Sequence, residues 1–275
     1  MSPFRASAAI TESWENFRFE VADGVATVTL DRPEKLNALT FEAYADLRDL
    51  VGELPHRGDV KVLVLAGEGR GFCSGGDVEE IIGELQKMKA AELLEFTRMT
   101  GATVQALRSV PIPVIASING VAAGAGSVLA LASDFRLLAT SASFRFLFTH
   151  VGLAGADMGA AYLLPRIVGV GRATQMLMLG DKVTSEEALA CGLASSVVAD
   201  DELRDATTAL ARRLADGPSL AYGATKSLIQ REQDMDLAGS IELEAMTQAL
   251  LMLSHDHGEF YAAWRDKRPP DWQGR

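Results

Sequence analysis

The sequence predicts an α/β fold closed by a helical C-terminal region, and three observations carry that reading. Two short apolar runs, residues 62–65 and 114–118, each lead through a loop of small residues into the start of a helix. Near the beginning, alternating apolar residues over 17–21 and 25–30 flank Asp23-Gly24, a strong hairpin signal. From Asp201 onward, apolar residues recur at helical spacing with no strand pattern between them. The 275 residues, 48% of them apolar, suffice for one large core. We read three parts: an N-terminal extension over 1–16, a strand-rich core over 17–199 and a helical region over 200–275. No internal repeat of fixed period is present.

In chain order, Thr40 can cap a helix on which Tyr44, Leu47, Val51 and Leu54 share a face, and Pro55 is expected to end it. The strand over 62–65 is apolar, β-branched and bounded by Lys61 and Gly67. A glycine-rich loop over 67–76 runs into Asp77, an acidic residue suited to opening a helix. Residues 79–89 are polar and read as a mobile helix. Residues 91–108 read as a covered helix through Leu93, Leu94, Met99, Val104 and Leu107. Pro111-Ile112-Pro113 opens the strand over 114–118, and Asn119-Gly120 turns it. Gly124, Ala125 and Gly126 then lead into an apolar helix over 127–132. A strand over 135–139 precedes the segment SFRFLFTHVGLAGADMG, residues 143–159.

Helices over 163–168 and 173–179 flank Gly169-Val170-Gly171. A helix rather than a strand precedes that GxG, which argues against a dinucleotide loop. Thr184 begins a short helix that Gly192 stops. Leu203, Leu210 and Leu214 share one face of the C-terminal region. Ile241, Leu243, Met246, Leu250 and Leu253 form a second stripe, suited to core or to a subunit interface.

The two strand–loop–helix units share a chemistry. Small residues admit a close neighbour, because no bulky side chain stands in the way. Backbone N–H groups at a helix start have no acceptor within the helix and carry the positive end of its dipole. Two such donors from two loops are what an oxyanion hole requires; close helix packing is the other use of the same residues. A formal charge of −11 argues against nucleic acid or an anionic membrane as partner. An anionic ligand would need a local basic patch, for which Lys35, Arg265, Lys267 and Arg268 are the candidates. Cys73 and Cys191 cannot build a disulfide framework or a cysteine metal site, and His255 and His257 have no evident partner ligands, so no metal is expected. Residues 1–16 lack the apolar segment of a signal peptide, and the low-polarity run over 121–132 is too short to cross a bilayer. A cytoplasmic protein is expected.

Four segments in register then carry a resemblance: RPEKLNAL (32–39), GRGFCSGGDV (69–78), the NG…GAG loop (119–126) and the closing DKRPPDWQG (266–274). Together they resemble the crotonase superfamily, the enoyl-CoA hydratase/isomerase family. The resemblance implies a spiral of ββα turns over 17–199, with C-terminal helices that support a homotrimer or a hexamer built as a dimer of trimers. It implies an acyl-CoA substrate, with coenzyme A part of that substrate and no other cofactor. Motif matching puts the two oxyanion N–H groups on Gly76 and Ala125. It puts Lys35, Ala38, Ser74, Asp77, Val78 and Phe148 along the acyl-CoA path, with the basic C-terminal cluster a candidate for the CoA phosphates.

Two departures qualify the carried-over chemistry. The family's hydratases carry two glutamates that handle water. Here Val128 stands two residues after the glycine of GAG, and Phe148 stands four residues before Gly152. A general acid or base contributes about 10²–10⁴-fold, so hydration by the usual route should be poor. Asp157, at a position where some isomerases of the family carry a catalytic aspartate, is the candidate replacement; capping the helix near Ala160 is its other use. His150 is a further candidate, placed by strand alternation on the side of Phe148. Tyr162, Glu79, Glu80 and Cys73 rank lower, as packing or solvated groups. Phe144, Phe146, Phe148 and Met158 form an aromatic neighbourhood, either core or a pocket for a bulky acyl group. The expected activity is proton transfer, that is isomerisation. An acyl-CoA hydrolase, a carbon–carbon lyase and a catalytically silent acyl-CoA binder are the alternatives.

Overall fold

The computed structural model describes residues 10–275, and residues 1–9 of the N-terminal extension lie outside them. The strands in chain order are β1 (Arg18–Ala22), β2 (Val25–Leu30), β3 (Val62–Gly67), β4 (Gly71–Cys73), β5 (Val114–Ile118), β6 (Val121–Ala123), β7 (Phe135–Ala139), β8 (Ser143–Arg145), β9 (Val183–Thr184) and β10 (Ser196–Val198). The helices are α1 (Phe41–Arg57), α2 (Ala90–Ser109), α3 (Ala125–Ala132), α4 (Ala160–Val168), α5 (Val170–Leu179), α6 (Ser185–Ala190), α7 (Leu203–Ala215), α8 (Ser219–Glu232), α9 (Leu237–Leu251) and α10 (His255–Asp266).

The hairpin β1–β2 is antiparallel, and β2, β3, β5, β7 and β10 continue the larger sheet in parallel. β2 alternates, with Ala26, Val28 and Leu30 inward. β3 and β5 are buried in runs, because α7, α3 and the second-sheet strand β4 pack against them. Three times the chain leaves this sheet, turns a corner and adds a short strand to a second sheet, ordered β4-β6-β8-β9. That is the expected spiral. Its second layer escapes a sequence reading: β4, β6 and β8 are three residues each, too short for a period to show. α3 lies at the centre with every residue buried, which its uniformly apolar sequence requires.

Several boundaries differ from expectation. α1 continues past Pro55 to Arg57 and ends at Gly58, whose φ of +76° is left-handed. Pro55 stands in the last turn, where the missing N–H removes a single bond and little helix remains to disrupt. Residues 79–89 do not form one helix. A one-turn π-helix (Val78–Ile82) and a short α turn (Gly83–Leu85) precede an irregular link to α2. Leu147–Val151 is a 3₁₀ turn rather than a strand, so the alternation argument for His150 fails. In the C-terminal region Leu203 and Leu214 are buried, whereas Ile241, Met246, Leu250 and Leu253 are exposed on the chain alone. No helix among the described residues is long and apolar enough to cross a membrane.

Candidate functional site

The RPEKLNAL segment is a backbone scaffold centred on Asn37. This side chain is buried and its φ is +57°. It accepts from the Arg32 N–H at 2.9 Å and donates to the carbonyls of Glu68 at 2.9 Å and Gly71 at 2.8 Å. The segment therefore grips the glycine-rich loop from β3. The Leu39 N–H donates to Gly75 O at 2.8 Å, and the Asp77 N–H donates to Leu39 O at 2.9 Å. In a parallel bridge of this kind the middle residue turns its own N–H to the opposite side, so the Gly76 N–H faces away from Leu39.

The second loop meets the first there, backbone against backbone. A Cβ on Gly75 would lie 3.1 Å from Ala123 O and 3.4 Å from Ala125 N. Gly75 itself holds a φ of +101°, which favours glycine. Ala125 is the first residue of α3, so its N–H has no acceptor within the helix, and Gly124 before it offers no capping side chain. Among the described residues, neither the Gly76 N–H nor the Ala125 N–H donates to a backbone carbonyl outside regular structure. Two donors from two loops thus stand together with no protein acceptor.

Asp77 closes the loop as the cap of the π turn. Its Oδ1 accepts from the Glu79 and Glu80 N–H groups at 3.0 and 3.2 Å, while Oδ2 lies 3.1 Å from Arg32 and 3.7 Å from Lys35. Burial works to raise the carboxyl, but the two N–H donors and then the two cations hold it below its ordinary range. Lys35 Nζ also pairs with Glu79 at 2.8 Å. Ser74 Oγ donates to Lys35 O at 3.1 Å; Ala38 is buried and Val78 exposed.

Asp157 does not cap α4. Gly159 holds the cap position with a φ of +88°, and the Asp157 side chain accepts only from the Met158 N–H, at 2.8 Å. The carboxyl is half-buried, and that burial raises its pKa, moderated by the Met158 N–H. Tyr44 borders the first loop. The phenol is buried, its hydroxyl oxygen lies 3.7 Å from where a Gly76 Cβ would stand, and Thr103 Oγ1 anchors its backbone carbonyl at 3.0 Å. Burial, first of all, pushes the phenol well above its ordinary value, with a smaller contribution from the ionisable groups of Cys73 and Asp157. Sequence reasoning placed Tyr44 on the core face of α1. A phenol among Leu and Val was the one signal that it could do more.

Comparisons with known proteins bear on the family. A family profile described as enoyl-CoA hydratase/isomerase matches residues 20–275. A probable enoyl-CoA hydratase from Rhodobacter capsulatus is 38% identical over 263 residues, covering 96% of this chain and 100% of the relative. The 1,2-epoxyphenylacetyl-CoA isomerase of Escherichia coli is 36% identical, covering 93% and 97%. The crystal structure of a candidate enoyl-CoA hydratase from Streptomyces coelicolor superposes with a TM-score of 0.97 at 62% identity, covering 100% of both chains. The chain belongs to the enoyl-CoA hydratase/isomerase family, the crotonase superfamily. It is accordingly an enzyme of that family, acting on an acyl-CoA.

For a member of this family, several side chains stand in informative places. Val128 is fully buried inside α3. Phe148 is buried in the 3₁₀ turn, and His150 next to it is exposed, its Nε2 2.6 Å from Leu179 O. Phe144 and Phe146 are fully buried and stacked at 6.5 Å, so both belong to the core. Met158 instead lines a cleft of about 790 Å³ between α2, α4 and α8. Burial pushes the Cys73 thiol up to about 12, which suits packing and not a thiolate nucleophile. Tyr162 is exposed rather than packed; its hydroxyl donates to Asp234 and the Arg166 guanidinium lies 3.6 Å above its ring. In the basic C-terminal cluster, Arg268 Nη2 pairs with Glu259 at 3.1 Å, and Asp256 accepts from the Gln273 and Gly274 N–H groups. The closing motif thereby folds the tail back onto α10.

Proposed function

We propose that the chain isomerises an acyl-CoA by proton transfer, with the thioester oxygen held between the N–H groups of Gly76 and Ala125 and with Asp157 as acid and base. The observation that supports the reading is the pair of N–H groups on adjoining loops that, among the described residues, have no protein acceptor; a half-buried carboxyl, Asp157, whose pKa burial raises, supplies the candidate base. The ionised Asp157 takes a proton from a carbon conjugated with the thioester. The electron pair left on that carbon moves into the thioester carbonyl, and the resulting enolate oxygen accepts from both N–H groups. Collapse of the enolate takes a proton from Asp157, the original one or one exchanged with solvent, onto a different carbon, so the double bond moves and no atom is gained or lost. Losing one oxyanion donor costs about 3–4 kcal/mol of transition-state stabilisation.

Lys35, Ala38, Ser74, Asp77, Val78 and Phe148 line the acyl-CoA path in this reading, and coenzyme A enters only as part of the substrate. Phe148 and Met158 bound an apolar acyl site. An aromatic acyl group is favoured by the named substrate of the Escherichia coli relative. The exposed apolar residues of α9, among them Ile241, Met246 and Leu250, support a homotrimer or a dimer of trimers built through residues 200–275.

The test is a mass-spectrometric panel of acyl-CoAs run in D₂O and separately in H₂¹⁸O, with Asp157→Asn in parallel. Deuterium incorporation or double-bond migration that Asp157→Asn abolishes is the expected result. Incorporation of ¹⁸O into a hydroxyacyl-CoA would instead establish hydration and overturn the reading of Val128 and Phe148. Release of free CoA would establish hydrolysis. Binding without turnover across the panel would leave the protein an acyl-CoA binder.

A further inference from the structure

A cavity of about 420 Å³ opens at the N-terminal ends of β5 and β7, where Pro113, Asp134 and Phe135 line it. These strands run parallel, and the two loops of the candidate active site follow the C-terminal ends of β3 and β5. The cavity therefore lies at the other end of the larger sheet. Its walls, from α3, α4 and α8, are largely apolar through Leu131, Leu163, Ile167 and Ile229.

Charge makes this cavity unusual. In a chain of formal charge −11, four cations line it, Arg108, Arg136, Arg166 and Lys226, against the single carboxylate of Asp134. Lys226 is satisfied: Nζ donates to Leu107 O at 2.9 Å and Ile112 O at 3.1 Å and pairs with Asp134 at 2.8 Å. Arg166 pairs with Asp234 at 2.9 Å. Arg108 reaches Asp134 only at 3.9 Å.

Arg136 is the exception. It is 8% exposed, donating from Nε to Leu193 O and from Nη1 to Ser133 O, both at 2.6 Å. Among the described residues no carboxylate lies within 4.0 Å of it, and its Nη2 has no hydrogen-bond acceptor. Burial lowers its pKa to about 10, so the group is still charged near neutrality. Asp134 offsets part of that burial from beyond 4.0 Å but is itself paired with Lys226, so a closer negative charge on Arg136 would be favourable.

We propose that this cavity binds an amphipathic monocarboxylate, its head on Arg136 and Arg108 and its body against Leu131, Leu163 and Ile229. A planar carboxylate matches the edge of a guanidinium, which favours it over a spherical anion. One negative charge suits the site better than two, because Asp134 remains inside it. The volume lies in the usual range for small-molecule sites, roughly 300–1,000 Å³. The inference does not depend on the acyl-CoA reaction.

Isothermal titration of the full chain with octanoate, 1-octanol and inorganic phosphate tests it. Octanoate should bind once per chain, octanol about tenfold or more weakly, and phosphate not measurably, since a hydrogen bond to a charged group is worth about that ratio or more. Arg136→Gln and Arg108→Gln should each weaken octanoate by about tenfold or more. Among the described residues Arg108 makes no hydrogen bond from its side chain, so Arg108→Gln carries the test if Arg136→Gln fails to fold. Gly52→Ala, in α1 with nothing within 4 Å and outside the cavity lining, should leave the affinity unchanged. Three results would overturn the proposal: no octanoate binding, as when a neighbouring copy fills the cavity; octanol binding as tightly as octanoate; or octanoate affinity kept in a folded Arg108→Gln protein.

Discussion

Gly126→Ala tests whether contact between the two loops positions the chemistry. Gly126 is the second residue of α3, and its φ is not in the left-handed region, so alanine carries no dihedral penalty there. Helix propensity alone would favour alanine by about 1 kcal/mol. The added Cβ, however, would lie 2.2 Å from Cys73 O and 2.7 Å from Cys73 Cβ. A backbone carbonyl cannot rotate away as a side chain can. Reaching an ordinary contact of 3.4 Å from 2.2 Å requires the loops to part by 1.2 Å. Overpacking of this kind costs about 1–3 kcal/mol of stability. A misplacement of about 1 Å in a catalytic group can cost about 10²-fold in rate, and complete loss of a donor about 10²–10³-fold. The assay is deuterium exchange of the acyl-CoA substrate in D₂O, read as kcat and KM, with Tm measured alongside. Both kcat and kcat/KM should fall by about 10²–10³-fold, the mark of an interaction made in the transition state. Gly52→Ala is the control: it lies in α1 with nothing within 4 Å, and should gain about 0.5–1 kcal/mol without changing kcat. A folded Gly126→Ala protein with kcat within about twofold of the parent would refute the reasoning.

Asp157→Asn should abolish proton transfer yet raise Tm at pH 7. The folded carboxyl is raised above its ordinary value by burial, so the native state binds more protons than the unfolded chain in the window just above 3.8. Stability therefore falls as pH rises through that window and stays lower above it; thermal melts from pH 4 to pH 7 should show that slope in the parent and lose it in Asp157→Asn. In the parent, the rate should rise with pH through the raised pKa, as a base requires. Lys226→Met should cost about 3–5 kcal/mol in urea denaturation, because it strands Asp134 and two buried carbonyls, and Asp134→Asn in the same chain should recover part of the loss. Asn37→Ala should cost about 2–4 kcal/mol through three lost hydrogen bonds and an alanine in a left-handed conformation, with kcat falling as the grip on the first loop loosens.

Local chemistry is legible in the sequence where one residue suffices to produce it. Asp23-Gly24 makes its hairpin, and Thr40 Oγ1 accepts from the Ala43 N–H at 3.1 Å as a helix cap. Asp77 caps its turn, and the apolar runs of β3, β5 and β7 are buried strands. Each follows from nearest-neighbour sterics or from burial, which a linear pattern records. With the motifs in register, this determined the α/β class, the family and the spiral. Only the tertiary structure decided what lies across space. The three-residue strands of the second sheet take their conformation from partners more than ten residues away. Asp157 could be read as a helix cap until Gly159 was seen to hold that position. Tyr44 reads as one more apolar position on α1, and Arg136 as a strand residue, until the folded chain sets one phenol beside Gly76 and buries one guanidinium with no carboxylate in contact. The physical reason is the same in each case: burial and pairing energies depend on distance in space, and distance along the chain does not encode it.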